Sequence, residues 1–532
     1  MKKLILILVI SFAVLPAQEE EKENEETPQP LELPNFIIEG TEQMNVKSGI
    51  KEMPEKTDPL TRIELDSLNS LEKQRSLSLP LSKLPKTAVN YDYPPGYLKG
   101  SIGRFTTMNL EAGYGLNKKG YELFGSGNLD LASGHIDDAG YGKGNIRLGS
   151  DYIAPKKYFI FGGSRTRTTF DLGFQDYNLY GLNELITADS SFAMGRNSVS
   201  MKLNVDVDGN YEGVQFKTGG GFSTLQLNSE NVYYGEKNAF DNSVHGFLNV
   251  KNLWRNFLVS GNAGLDFRNV NGEAANFSQL NATAEYFTDL FSINVTAGFQ
   301  YAVSSTDIDR GGLLLSGEIE YRMSDMLTVG GGIESGLEKE NLRGLYRQNP
   351  YMMINSDIDF PYNIMKIKGR INYHPHEDFG FSVIGDLSVK DRYPFFNDSL
   401  NGEFAVNYTK VNIAGLEAET YWNITDTDYL TANLDINLAS FDLGDDEVPY
   451  IPVLKAGARY RKMLFEGFGT VIGLSYVGER YSDRENNITV DPYLNLSAEL
   501  NYEITNKLRI FLLADNLTNS DIYVWNNYKE RS

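Results

Sequence analysis

From residue 97 onward the chain repeats one pattern: segments of about ten residues in which apolar and polar side chains alternate. Val199, Met201, Leu203, Val205 and Val207 take every second position, with Ser200, Lys202, Asn204 and Asp206 between them. Leu494, Leu496, Ala498, Leu500 and Tyr502 alternate in the same way with Asn495, Ser497, Glu499 and Asn501. Strand side chains point to opposite faces in turn, so each segment has one apolar and one polar side. A closed barrel with lipid outside and water or polar filling inside uses such a strand many times over. The pattern therefore predicts an all-β fold, a transmembrane antiparallel up-and-down β-barrel of about 20–22 strands.

Strands are expected at 98–104, 108–116, 121–132, 143–155, 158–172, 197–207, 212–226, 243–252, 256–268, 277–288, 291–303, 312–322, 326–336, 363–374, 378–389, 404–423, 428–441, 451–463, 468–480, 492–503 and 507–517. The connections alternate in length. Short turns fall at Asn117 to Gly120, Asp208 to Asn210, Ser324-Asp325 and Thr505-Asn506; longer loops fall at 173–196, 227–242, 337–362 and 390–403. Outer-membrane barrels have short periplasmic turns and long external loops, so this rhythm assigns a side to every connection. On this count the first and last strands both rise from the periplasm, whereas a complete barrel has an even number. Either the count is off by one, or the sequence stops about one strand short of a parent of roughly 22; the second is preferred.

The N-terminus changes the compartment. Lys2 and Lys3, the apolar run Leu4 to Leu15 and the small Ala17 make residues 1–17 a secretory signal, too short in its apolar part to span a bilayer. Residues 18–96 are expected to be a low-structure segment, periplasmic or lumenal, with an acidic run at Glu19 to Glu26, proline punctuation, and a short helix opened by Asp58-Pro59. The barrel is placed at 97–532. With no cysteine, neither a disulfide nor a lipidated cysteine is available. A net charge of −22 argues against nucleic acid as a partner. The 32 tyrosines and 29 phenylalanines suit aromatic girdles at two membrane boundaries, with outer-membrane lipid as the surrounding partner.

Leu508 to Asn519, followed by Tyr523 and Trp525, resembles the closing region of TonB-dependent receptors, and Tyr346-Arg347-Gln348-Asn349-Pro350-Tyr351 looks like a mid-barrel element of the same family. The resemblance covers the barrel. It implies a 22-stranded barrel in a Gram-negative outer membrane, holding an N-terminal plug and taking up a small-molecule ligand through contact with TonB. The family's plug signatures are not found between Gln18 and Gly96. Phe36, Ile37, Ile38, Glu39 and Gly40 form the candidate TonB-contact segment, since a short extended apolar stretch can pair with a partner's sheet edge; the bland reading is a patch that anchors the tail.

Inward-facing charge is where selectivity would reside. Lys366, Lys368 and Arg370 share one face of their strand, Lys455, Arg459 and Arg461 share another, and Ser316, Glu318, Glu320 and Arg322 a third. These are candidate lumen-facing residues, with wall-stabilising charge pairs as the competing reading. The acidic run Asp442 to Glu447 lacks EF-hand spacing, and the proline in His374-Pro375-His376 restricts convergence on a metal. No metal, cofactor or catalytic site is assigned: four histidines and no cysteine nucleophile give no convincing triad, His135 beside Asp137 and Asp138 being the nearest approach. The expected function is uptake or passage of a solute across the outer membrane. TonB or another periplasmic protein is the expected partner, and residues 27–96 the nearest candidate filling. The alternative is a non-transporting barrel whose external loops engage a partner.

Overall fold

The computed structural model describes residues 96–530 except 119, 137, 182–194, 232–234, 307, 399–401 and 445. The expected signal, the segment to residue 95 and the candidate TonB-contact residues Phe36 to Gly40 lie outside the described residues.

The first half of the wall comprises β1 (Gly96–Gly103), β2 (Thr107–Lys118), β3 (Tyr121–Ala132), β4 (Tyr141–Ile153), β5 (Arg165–Asn178), β6 (Gly195–Tyr211), β7 (Val214–Asn231), β8 (Gly235–Trp254), β9 (Phe257–Val270), β10 (Glu273–Ala274), β11 (Asn276–Phe287) and β12 (Phe291–Val303). It continues through β13 (Asp309–Arg322), β14 (Leu327–Leu337), β15 (Tyr362–His376), β16 (Phe379–Asp398), β17 (Phe404–Asn423), β18 (Asp428–Phe441), β19 (Leu454–Phe465), β20 (Phe468–Val477), β23 (Tyr493–Thr505) and β24 (Leu508–Ala514). The remaining strands are two small hairpins, β21 (Arg480–Tyr481) with β22 (Thr489–Val490) and β25 (Tyr523–Trp525) with β26 (Tyr528–Lys529). Successive wall strands pair antiparallel, as in β5–β6, β6–β7 and β16–β17, in one 22-stranded sheet. Since β10 and β11 both pair with β9, they act as one strand interrupted at Ala275.

The wall is inside-out relative to a soluble protein. Val199, Leu203 and Val205 are 48 %, 40 % and 39 % exposed, while Arg196 and Ser198 on the opposite face of β6 are buried. Apolar side chains on the outer face and polar ones within are what lipid on one side demands. Replacing Leu203, near the middle of β6, by Arg should cost roughly 2–4 kcal/mol of barrel stability in lipid, whereas Asn204→Arg on the lumen side should cost far less. Unfolding in phosphatidylcholine vesicles would measure both; equal costs would contradict the assigned faces.

Aromatic side chains gather where strands meet the short turns. Phe465 stacks on Phe468 at 4.9 Å, and Tyr286 sits between Phe257 and Phe291 at 5.1 and 5.7 Å. Most turns at this end need only a few residues. Glu212 and Gly213, both at positive φ, close β6–β7 in two, a requirement that glycine meets readily at φ +88°. The exception is 154–164, where Pro155 and a 3-10 turn (Phe159–Phe161) interrupt a stretch whose aromatic content reads as strand. The fifth strand accordingly starts at Arg165 instead of residue 158. Tyr158 and Phe159 remain 52 % and 78 % exposed.

At the opposite end two expected loops are largely strand, and a third is strand at its ends. β7 runs to Asn231 and β8 starts at Gly235, so 227–242 is a long hairpin, while β16 continues to Asp398 through most of 390–403. β5 similarly extends to Asn178. The edge strands β1 and β24 run in the same direction and have no backbone pairing with each other among the described residues; Lys99 Nζ of β1 lies 5.4 Å from the Phe511 ring of β24.

Candidate functional site

The long connection between β14 and β15, residues 338–361, folds inward. Its first part is α1 (Leu342–Gln348). Asn341 caps it, its side chain accepting from Gly344 N at 2.7 Å, and Leu342, Leu345 and Tyr346 form one apolar stripe at helical spacing. The helix stops at Asn349, which is extended as the residue before Pro350 should be. Seven residues make no stable helix alone, so burial holds this one. Leu342, Leu345, Met352, Ile354, Ile358 and Phe360 are each no more than 2 % exposed. They pack with Leu227, Val270, Ala302 and Phe404 from strands around the wall, with Leu179 just past the end of β5, and with Tyr528 of the C-terminal hairpin. A segment expected to be a long external loop is thus the centre of the principal apolar cluster, a lid across the loop end of the lumen.

Polar contacts fasten the lid on both sides. Arg196, fully buried, donates to Pro350 O at 2.9 Å and Met352 O at 2.7 Å, and pairs with Glu403 at 2.6 Å. Arg343 donates to Thr224 O at 2.5 Å and Met201 O at 3.2 Å, fixing α1 against β6–β7. Tyr177 OH donates to Pro350 O at 2.5 Å, and Lys339 pairs with buried Asp266. On the other flank Asp359 meets Arg392 at 3.1 Å, while Glu338 accepts from Lys390 at 2.8 Å and Asn363 at 2.6 Å. Backbone pairing adds Met353 N to Phe404 O at 2.9 Å and Phe404 N to Tyr351 O at 3.2 Å. Tyr528 stacks on Tyr351 at 3.5 Å.

Burial pushes the Glu340 carboxyl above its ordinary range, against the hydrogen bond it accepts from Asn341 N at 2.8 Å. A raised carboxyl pKa means that the closed lid prefers the neutral form. Its ionisation opposes closure in full above the raised pKa; the penalty shrinks as pH falls through that value and is gone below the ordinary carboxyl range. Glu340→Gln should therefore raise the midpoint for heat-induced exposure of the lid at pH 7.5 and leave it unchanged at pH 4. Proteolytic nicking of the lid as a function of temperature reads this, and an equal effect at both pH values would refute it.

Below the lid, the candidate lumen residues behave as two groups. On β15, Lys366, Lys368 and Arg370 alternate with outward Met365, Ile367 and Ile371, and all three are paired: Lys366 with Asp386 at 3.7 Å, Lys368 with Glu318 at 3.4 Å, and Arg370 with Glu318 and Glu320 at 3.6 and 3.8 Å. On β19, Lys455, Arg459 and Arg461 are exposed and form no ion pair among the described residues. No group of His, Asp or Glu among the described residues is arranged to hold a metal ion; Asp442 pairs with Lys410 at 3.0 Å, and His374 lies against the Tyr421 ring. Arg196, Glu403, Arg343 and Asp359 were not singled out by sequence. The signal for the lid was present in the Asn341 cap, the Leu342–Leu345–Tyr346 spacing and the unusually apolar run Met352, Ile354, Ile358 and Phe360.

Residues 381–517, from β16 to just beyond β24, match the family model described as TonB dependent receptor-like, beta-barrel. No curated protein matches the chain in sequence. Among solved structures, the copper transporter OprC superposes with a TM-score of 0.63 at 12% identity, covering 80% of this chain and 76% of that one. The FrpB iron transporter from Neisseria meningitidis gives 0.64 at 9%, covering 80% and 77%. The ferric yersiniabactin uptake receptor FyuA from Yersinia pestis gives 0.61 at 12%, covering 81% and 76%. At such identities the likeness is one of fold. The described region thus has the antiparallel transmembrane β-barrel fold of these structures. Its stretch from residue 381 to 517 is similar to the barrel of TonB-dependent receptors.

Proposed function

We propose that this chain is an outer-membrane conduit for a small solute, closed at its loop end by its own 338–361 segment. The single observation that carries the reading is the inward fold of that segment, six of whose apolar side chains are fully buried against strands from around the wall. A wide barrel needs a seal, and a seal fixed inside a polar-lined lumen is of use only if it is moved. Moving it as a unit returns buried side chains to water at about 1.5–3 kcal/mol each, so opening requires work from a bound ligand or a periplasmic partner. The barrels it resembles in fold are a copper transporter, an iron transporter and a ferric yersiniabactin uptake receptor, which favours uptake over a surface-binding role. A TonB-type protein acting through Phe36 to Gly40 is the proposed source of that work.

The test locks the lid. Met352 and Phe404 form a direct parallel bridge, and the chain has no native cysteine, so Met352→Cys with Phe404→Cys can cross-link lid to wall. Cells expressing the oxidised double variant should lose a periplasmic solute that the native chain admits and regain it on reduction. Identical periplasmic small-molecule profiles would sink passage and leave the external loops as the working part.

A further inference from the structure

The lumen wall handles charge in two different ways. Across β13–β16 acids and bases are interleaved and every one of Lys366, Lys368 and Arg370 has a carboxylate within 4 Å. Across β17–β19 they are sorted. Glu417 and Glu419 of β17 and Asp435 of β18 form an acidic band, and Lys455, Arg459 and Arg461 of β19 a basic one. All six lie on the face opposite outward Leu416, Trp422, Ile472 and Leu474 of this stretch of wall.

Register makes the sorting costly. Glu417 stands directly opposite Asp435, a like-charge pair that destabilises a sheet. Asp435 stands opposite Lys455 yet forms no ion pair with it; its Oδ1 accepts from Asn437 Nδ2 at 3.1 Å instead. Arg459 and Arg461 face Thr431 and Tyr429 on one side and Gly473 and Val471 on the other, none of which can neutralise them. A wall built for stability alone would interleave these charges, as β13–β16 does. Two bands of opposite sign left open to the lumen form a dipolar surface. Strand spacing sets the outer acidic strand and the basic strand about 10 Å apart, and Arg459 and Arg461 about 7 Å apart along theirs.

We propose that this patch is a lumen-wall site for a zwitterionic, peptide-sized solute, whose ammonium end rests on Glu417, Glu419 and Asp435 and whose anionic end rests on Lys455, Arg459 and Arg461. The inference rests on the passage reading for its use, but its electrostatics can be tested apart from passage. Asn433 on β18 lies opposite Glu419, and Ser475 on β20 lies opposite Gly457, between Lys455 and Arg459; both are exposed.

In the detergent-solubilised full chain with its lid intact, and with every rate divided by that of the same reagent with free 2-mercaptoethanol, Asn433→Cys should favour a trimethylammonium methanethiosulfonate over the sulfonate reagent about tenfold. Ser475→Cys should show the reverse preference, lost when Arg459 and Lys455 are changed to Gln. Equal rates at both positions, or no reaction at either, would overturn the site. Full chain lacking residues 340–359, in liposomes, then tests the solute class by swelling with glycylglycine, N-acetylglycylglycine and glycylglycinamide. The zwitterion should enter several-fold faster than either singly charged probe, and both Glu417→Gln/Glu419→Gln and Arg459→Gln/Arg461→Gln should remove its advantage. Equal entry of all three overturns the site and leaves passage standing. If none enters even when residues 27–96 are removed as well, the passage reading fails, and the thiol rates alone decide the site.

Discussion

Excising residues 340–359 and rejoining the ends with a short glycine-serine linker is expected to turn a silent barrel into a conducting one. In planar bilayers the native chain should show no steady conductance. The excised form should carry current more than about a hundredfold above that baseline, since the deleted stretch holds Leu342, Leu345, Met352, Ile354 and Ile358 of the seal. The wall should survive because β14 and β15 are paired along their length by Val329 to Ile371 and Ile333 to Ile367, independently of the lid. Heat-modified migration on a gel would verify a folded barrel. The same excision in a chain also lacking residues 27–96 separates two seals. If current appears only in the doubly shortened chain, the N-terminal segment is the barrier and the lid merely lines the mouth.

Replacing Arg196 by Met is expected to cost about 3–5 kcal/mol, the range for breaking a buried ion pair by removing one partner. The guanidinium is fully buried and joins three places at once: Pro350 and Met352 of the lid, and Glu403 at the start of β17. Without it two lid carbonyls lose their charged donor, and the Glu403 carboxylate loses the cation 2.6 Å away. The loss should appear as early proteolytic cleavage between Leu342 and Phe360, with the wall's own melting changed little. Arg196→Met with Glu403→Gln should recover part of the stability, because the second change removes the buried charge that the first leaves behind. If the double variant were no better than the single, the clamp on the backbone carbonyls would matter more than the ion pair.

The wall could be read from sequence because its physics is local. Alternation at Val199, Met201 and Leu203 states which face meets lipid, and nothing in the tertiary structure has to be known first. Turn residues were less exact: Asp208-Gly209-Asn210 has the composition of a turn, yet β6 runs through it to Tyr211, and Glu212-Gly213 makes the reversal. Tyr158 to Phe161 reads as strand by composition but follows Pro155 and forms a 3-10 turn instead. The lid failed to show for a different reason. An external loop and a segment packed inside the lumen have the same length and the same neighbours in sequence, and only the burial of Ile354, Ile358 and Phe360 tells them apart. Its fastenings are longer-range still, since Arg196 and Glu403 are separated by 207 positions.

The seal is a stretch of the same polypeptide, anchored at Leu337 and Tyr362 on neighbouring strands. It cannot diffuse away, and a displaced segment stays at millimolar effective concentration around its own seat. Reseating is then a loop-closure event, with an intrinsic timescale of microseconds or less for a segment of this length. On the proposed function, each opening would then end by itself once the pull stops, and the envelope would lose little of its contents however often the door is used.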